Sequence, residues 1–302
     1  MSIVVEKIKI HGVTVSVVRD DLNHPVVQGN KLRKLKFHLI EARIQGAKTI
    51  VTFGGAYSNH LVATAYAARD AGFLSVGVVR GDELAGRPDL WSHTLQDAAS
   101  YGMAFLFVNR SDYRLKTEAE PVQSLLANTP NYYLVPEGGS GQLAVKGVAE
   151  LMGEITQQGY QPSHVFCAVG TGGTVAGIIR GVQQQNLKCQ VFGTVVLKGL
   201  HGVKGDMEQW LGGSVEEGWL SLLTDYHFGG YAKVTEELRD FTLKFSGEHG
   251  IPLDKIYNSK SFYALNDMIE KGELTAQDQP MIIHTGGLQG GTFGAIHNEQ
   301  SN

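Results

Sequence analysis

Cysteine is scarce: Cys167 and Cys189 are the only two among 302 residues. Two thiols cannot build a disulfide framework, and neither has a His or Cys nearby at metal-ligand spacing. Cys167 sits in the apolar run HVFCAV, the setting of a buried structural thiol, and Cys189 lies between Lys188 and Gln190. Neither is expected to be catalytic. Long apolar runs are missing too, since none approaches the roughly 18 residues of a membrane span. The opening MSIVVEKIKI alternates apolar and polar residues and shows no charged leader followed by an apolar core. A cytoplasmic protein is the expectation. Charge of one sign is also lacking: 26 Lys and Arg face 30 Asp and Glu, a formal balance of -4, with no block that concentrates it. Nucleic acid and acidic membrane surfaces are therefore not expected partners. No internal repeat and no disordered linker is visible.

Glycine is plentiful, with 38 residues, and it is clustered instead of periodic, which excludes a collagen-like chain. The clusters punctuate a regular alternation. Ile3 to Ile10 and Val13 to Val18 flank His11-Gly12 and predict an N-terminal hairpin. Leu32, Leu35, Leu39 and Ala42 recur at steps of three and four, which predicts a helix from Asn30 to about Gln45, stopped by Gly46. KTIVTF then reads as a buried strand ended by Gly54-Gly55. A helix from Asn59 to Ala71, a strand Leu74 to Val79, a helix Leu90 to Tyr101 and a strand Met103 to Val108 follow. Strands Tyr132 to Val135 and Val165 to Val169 each lead into a Gly-rich loop and then a helix. This β-α-β succession predicts an α/β fold of mostly parallel sheets with helices on both faces. Length favours two lobes, with boundaries expected near Lys34 and Gln142: residues 1-34 with 143-302 as a large cofactor-binding domain, and 35-142 as a small one.

Ligands of open α/β sheets sit outside the carboxyl ends of strands. Three loops follow strands directly: Gly54 to Asn59, Pro136 to Gly141, and Gly170 to Thr174. The last belongs to VGTGGTVAGIIRGV, where Gly170, Thr171, Gly172, Gly173 and Thr174 separate a strand from an amphipathic helix. Main-chain N–H groups at that helix start, with two threonine hydroxyls beside them, would cradle a phosphate. Glycine also serves ordinary strand-to-helix packing at such turns. The loop is not a Walker A motif, and no acidic residue ends a strand near Gly193 as a dinucleotide site requires.

Lys31 follows Gly29-Asn30 at the mouth of a helix within KLRKLK. A lysine there is ordinarily part of a solvated basic face. Combined with a phosphate cup, and with no metal or nucleotide motif to explain that cup, it points to pyridoxal 5'-phosphate (PLP), which needs both an imine to a lysine and a phosphate anchor. A phosphosugar- or nucleotide-binding protein in which Lys31 is incidental is the competing reading of the residues alone.

GNKLRKL, FGGAYSNH, AVGTGGTVAG, IYNSKSF and HTGG, in this order, resemble the 1-aminocyclopropane-1-carboxylate deaminase and D-cysteine desulfhydrase family. That family belongs to the tryptophan synthase β-like, fold-type II PLP enzymes. The resemblance runs from about Pro25 to Gly287. It implies that Lys31 holds the cofactor as a Schiff base and serves as base at the substrate's α carbon, that Asn59 binds the cofactor's phenolic oxygen, and that Ser58 with His60 receives the substrate carboxylate. N-capping is the structural alternative for Ser58 and Asn59. It further implies that Gly170 to Thr174 hold the phosphate, that Thr285 meets the pyridine nitrogen, and that Tyr231 and Tyr257 take part in catalysis, Tyr257 also touching substrate. A tyrosine at either place could equally be an ordinary core or surface residue.

The deaminase branch carries Glu after the second active-site tyrosine and Leu before the Gly-Gly, where this chain has Asn258 and Thr285. Thr285 and His60 match the desulfhydrase branch. Asn258 matches neither, and LQGGTFG lacks the usual Pro and Leu. The implied function is elimination from a small D-amino acid such as D-cysteine, giving pyruvate, sulfide and ammonia. Ring opening of aminocyclopropane carboxylate, or a PLP-binding homologue with little turnover, are the alternatives. A homodimer is implied as well.

Overall fold

A computed structural model describes residues 3-199, 202-216, 218-288 and 291-292. In chain order the named elements are β1 (Val5–Ile10), β2 (Val13–Val18), α1 (Asn30–Ile44), β3 (Thr49–Gly55), α2 (Asn59–Asp70), β4 (Leu74–Arg80), α3 (His93–Ser100), β5 (Met103–Val108), α4 (Arg110–Leu115) and α5 (Glu120–Ala127). They continue with β6 (Tyr132–Val135), α6 (Gln142–Gln157), β7 (His164–Val169), α7 (Gly173–Gln184), β8 (Gln190–Val195), α8 (Val203–Leu211), β9 (Leu220–Leu223), α9 (Glu236–His249), α10 (Asn258–Glu270) and β10 (Pro280–Ile283). Two compact units result, Met1–Asn23 with Ala149–Asn302, and His24–Val148. Position 34 lies inside α1 and position 142 begins α6, so α1, with Lys31, belongs entirely to the second unit.

The second unit holds a four-stranded sheet in the order β5-β4-β3-β6, parallel throughout. Alternation along β3 shows why it is covered twice. Ile50 packs with Leu35 and Ala42 of α1 and Ala63 and Ala67 of α2. Val51 and Phe53 pack with Tyr113 of α4 and Val122 of α5. Side chains of a strand point alternately to its two faces, so a strand buried at six successive positions requires cover on both.

The first unit holds a six-stranded sheet in the order β1-β2-β10-β7-β8-β9. Among the named strands of this sheet the β1–β2 hairpin is the antiparallel pair, turned at His11-Gly12, both in positive φ. β10 adds parallel to β2 and to β7, and β8 and β9 extend the parallel run. Phe166 and Phe192 stack at 4.7 Å and join Phe245 of α9 and Phe262 of α10 in one core. Gly193, next along β8, faces the other way: a Cβ there would lie 3.7 Å from Val175 of α7. Helices therefore cover both faces here too.

Helix α3 starts at His93 and not at Leu90 as its periodicity predicts. Pro88–Leu90 forms a separate helical turn, and Ser92 accepts a hydrogen bond from the Leu95 N–H, capping the helix. Among the described residues no helix is long and apolar enough to cross a membrane. Cys167 and Cys189 are both buried free thiols, and burial pushes the Cys189 thiol up to about 12, which keeps it from ionising.

Candidate active site

In the first unit, β7 ends at Val169 and α7 begins at Gly173, with Gly172 as N-cap in the left-handed region at φ 88°. The tightness of this turn demands glycine. A Cβ on Gly172 would lie 2.9 Å from both Val203 and Met207. The first N–H groups of this twelve-residue helix point out of its end, as in any helix, and the N-cap glycine has no side chain to cover them. Thr174 is buried beside them and Thr171 is exposed. The arrangement fits a phosphate group.

The Tyr257 ring lies against this turn, with Cε1 3.2 Å from where a Cβ on Gly170 would stand. Tyr231 meets it edge to face, ring centroids 6.3 Å apart, and is 46% exposed. Both phenols named from the sequence thus stand together at the head of α7. Lys260 holds the loop that carries Tyr231. Its ammonium donates to the carbonyls of Gly230 at 2.7 Å and His227 at 2.9 Å, and more distantly to Val196 at 3.4 Å. The side chain is fully buried, and burial pushes its pKa down to about 8.

Thr285 follows β10, nearly buried. Its N–H and Oγ1 both approach Asn258 Oδ1, at 3.0 and 3.2 Å. Asn258, the first residue of α10, is itself held by Asp254, whose two oxygens accept the N–H groups of Ile256, Tyr257 and Asn258 and the Asn258 amide. His284 Nε2 donates to the Pro252 carbonyl at 2.7 Å and anchors the strand exit. Of the divergent segment LQGGTFG, Gln289, Gly290, Phe293 and Gly294 lie outside the described residues.

In the second unit, Lys31 occupies the first turn of α1, half-buried, its Nζ donating to Asn30 Oδ1 at 2.9 Å. Gly29 precedes the helix at φ 64°, a backbone state that favours glycine. Ser58, Asn59 and His60 form the turn from β3 into α2. Ser58 holds the N-cap position without a side-chain cap hydrogen bond, so its hydroxyl is not spent as a cap.

The His60 ring is engaged within its own unit. Thr52 Oγ1 donates to the Val135 carbonyl at 2.8 Å, so it can only accept from His60 Nε2, also at 2.8 Å. The ring is 3% exposed and its one donor is taken. Burial, reinforced by the charges of Lys31 and Lys34, holds its pKa well below the ordinary 6.5, so the ring is neutral. What His60 can offer a carboxylate is its main-chain N–H in the first turn of α2, not its side chain.

Behind this turn stands a polar cluster that sequence reasoning missed. Lys34 is buried, its Nζ donating to the Gly138 carbonyl at 3.1 Å and to Ser140 Oγ at 3.0 Å. His38 Nε2 donates to the Gly139 carbonyl at 3.2 Å, and Nδ1 accepts from the Tyr133 hydroxyl at 3.1 Å. Burial pushes the His38 pKa down to about 4. Gly138 and Gly139 are both in positive φ, and a Cβ on Gly139 would stand 3.4 Å from the His60 ring. The EGGSG segment is a sequence signal for this loop. Nothing in KLRKLK distinguishes the buried Lys34 from its exposed neighbour Lys36.

Comparison with known proteins settles the family. The family described as "Pyridoxal-phosphate dependent enzyme" matches residues 5–286. The chain belongs to the pyridoxal-phosphate dependent enzymes. It is an enzyme of the fold-type II kind, and its cofactor is PLP. A Pyrococcus abyssi protein provisionally named 1-aminocyclopropane-1-carboxylate deaminase is 32% identical over 290 residues, covering 92% of this chain and 86% of its own length. The Arabidopsis thaliana mitochondrial protein named bifunctional D-cysteine desulfhydrase/1-aminocyclopropane-1-carboxylate deaminase is 30% identical, covering 93% and 74%. The crystal structure of an ACC deaminase homologue superposes with a TM-score of 0.80 at 30% identity, covering 96% of this chain and 90% of that one.

Proposed function

We propose that this PLP enzyme eliminates the β-substituent of a small D-amino acid, with D-cysteine as the substrate class: D-cysteine and water yield pyruvate, sulfide and ammonia. The observation that carries the reading is at Thr285. The group just beyond β10 is a hydroxyl tied to an amide, and the nearby carboxylate, Asp254, is committed to N–H donors of its own loop and helix. A hydroxyl stabilises a protonated ring nitrogen less than a carboxylate does. That suits departure of a good leaving group, which demands less electron withdrawal than breaking a carbon–carbon bond in a cyclopropane.

When bound, PLP supplies an imine-forming carbonyl and a ring that withdraws electrons from the substrate's α carbon. The N–H groups at the start of α7, with Thr171 and Thr174, hold its phosphate, and Thr285 meets its ring nitrogen. Asn59 binds its phenolic oxygen. Lys31 supplies the amine that anchors it and that takes the α proton from substrate once released. The Ser58 hydroxyl and the first N–H groups of α2 receive the substrate carboxylate, where the helix dipole favours an anion. Tyr257, with Tyr231 against it, orients the substrate side chain and gives a proton to the departing thiolate.

The test is product analysis on the purified protein with PLP. Pyruvate from D-cysteine and from β-chloro-D-alanine, with none from L-cysteine and no 2-oxobutyrate from 1-aminocyclopropane-1-carboxylate, is the expected pattern. Lys31→Ala should abolish both the pyruvate and the yellow colour. Release of 2-oxobutyrate instead would make the chain a ring-opening deaminase, and no product from any substrate would overturn catalysis of this kind.

A further inference from the structure

Asn258 is a departure that neither branch of the family accounts for, and its hydrogen bonds give it a function. Its amide nitrogen has two protons, and both are spent: one on Asp254 Oδ1 at 2.6 Å, one on the Gly286 carbonyl at 2.7 Å. Turning the amide over would set its oxygen against a carboxylate and a carbonyl, and its NH2 against the Thr285 N–H. The orientation is therefore fixed, with Oδ1 facing Thr285. There it accepts the Thr285 N–H at 3.0 Å and lies 3.2 Å from Thr285 Oγ1. An amide oxygen has no proton to give, so the hydroxyl must be the donor in that contact. Asn258 and Asp254 are 0% and 1% exposed, which keeps water from competing for these groups.

We propose that Asn258 is a positioning residue that sets the polarity of Thr285, committing its hydroxyl proton so that Oγ1 presents only lone pairs to the cofactor's ring nitrogen. The inference rests on the placement of Thr285 at that nitrogen given under Proposed function. A free threonine hydroxyl can donate to an unprotonated pyridine or accept from a protonated one. A threonine held by Asn258 can only accept, so it favours the ring that carries its own proton. Asn258 thereby restores part of the electron withdrawal that a hydroxyl in place of a carboxylate gives up, without adding charge.

The experiment is nitrogen NMR of the resting enzyme reconstituted with PLP labelled at the ring nitrogen, titrated with pH and without substrate. In the unaltered enzyme the ring signal should lie toward the pyridinium position at neutral pH; an unprotonated signal overturns the proposal with no variant needed. In Asn258→Ala the hydroxyl is released, and the midpoint of ring titration should fall by about one pH unit, the equivalent of one hydrogen bond. Thr285→Val keeps the Thr285 N–H bond to Asn258 and removes only the hydroxyl, and it should lower the midpoint at least as far. A midpoint moved by Thr285→Val but not by Asn258→Ala shows that Asn258 does not act through Thr285, and overturns the proposal. Midpoints unmoved in both variants show that Thr285 does not meet the ring nitrogen, and overturn its placement as well. The fold of each variant is checked by its melting transition and by retention of labelled PLP.

Discussion

Replacing Lys260 by methionine keeps a long side chain in a fully buried position and removes an ammonium whose acceptors are main-chain carbonyls. Burial pushes that ammonium down to about 8 from an ordinary 10.5, against a smaller opposing pull from Asp254. At 1.36 kcal/mol per unit the difference corresponds to roughly 3 kcal/mol. The sign follows from which state binds the proton. Below pH 8 the folded and unfolded chains both carry it, and the penalty is fully present. Between about 8 and 10.5 the unfolded chain still holds the proton and the folded chain has released it, so stability rises with pH. A neutral amine has two hydrogens and keeps its bonds to Gly230 and His227 while giving up the longer contact to Val196 at 3.4 Å. The Tyr231 loop therefore stays in place. Denaturant unfolding of the native protein and of Lys260→Met, followed by emission of Trp210 and Trp219 in the same compact unit, measures the difference. That difference should climb by roughly 3 kcal/mol from neutral pH to about 10.5 in favour of the native protein. A flat or falling difference would refute the reasoning. At neutral pH the variant loses the donor to two close carbonyls, about 1–3 kcal/mol each, and is spared the charge penalty, so the two proteins should differ by only a few kcal/mol.

Acid should act on the other unit through His38. Its folded pKa of about 4 lies below the ordinary 6.5, so its contribution is complete above 6.5 and is lost as pH falls toward 4 and the unfolded chain takes the proton. Unfolding measured over that range should show a loss of roughly 3 kcal/mol that His38→Gln lacks, and an unchanged slope in the variant would contradict the assignment. Gly147→Ala tests a helix contact by its sign. Alanine in a helix interior is ordinarily better than glycine by about 0.5–1 kcal/mol, yet a Cβ here would stand 2.1 Å from the Arg33 carbonyl oxygen, so α1 and α6 must move apart. Thermal melting should show net destabilisation of about 1–3 kcal/mol; a stabilised variant would mean the helices do not meet so closely.

Much of the fold could be read from local pattern because the pattern is local. The alternation in Val5–Ile10 and Val13–Val18, with His11-Gly12 between, specifies a hairpin, and β5 and β6 begin and end where their apolar runs do. The turn at Gly170 to Thr174 is legible for the same reason, since glycine in left-handed geometry at a helix start is a property of adjacent residues. Sorting of the strands into two sheets is not, because periodicity says nothing about which strand pairs with which. The same holds for lysines in one helix. Lys31, Lys34 and Lys36 look alike in KLRKLK, but only tertiary packing buries Lys34 beneath Gly138 and Ser140. His60 shows the limit most sharply. Its place in GGAYSNH marks it as a candidate site residue, while the tautomer of its ring is set by Thr52, whose own proton is claimed by a carbonyl on the next strand. Sequence by itself determined the α/β class, the glycine-rich turn between β7 and α7 and the cofactor family, since each depends on residue types at fixed short spacings. Only tertiary structure decided how Asn258 meets Thr285, 27 positions apart, because hydrogen-bond direction depends on which groups the fold brings within reach.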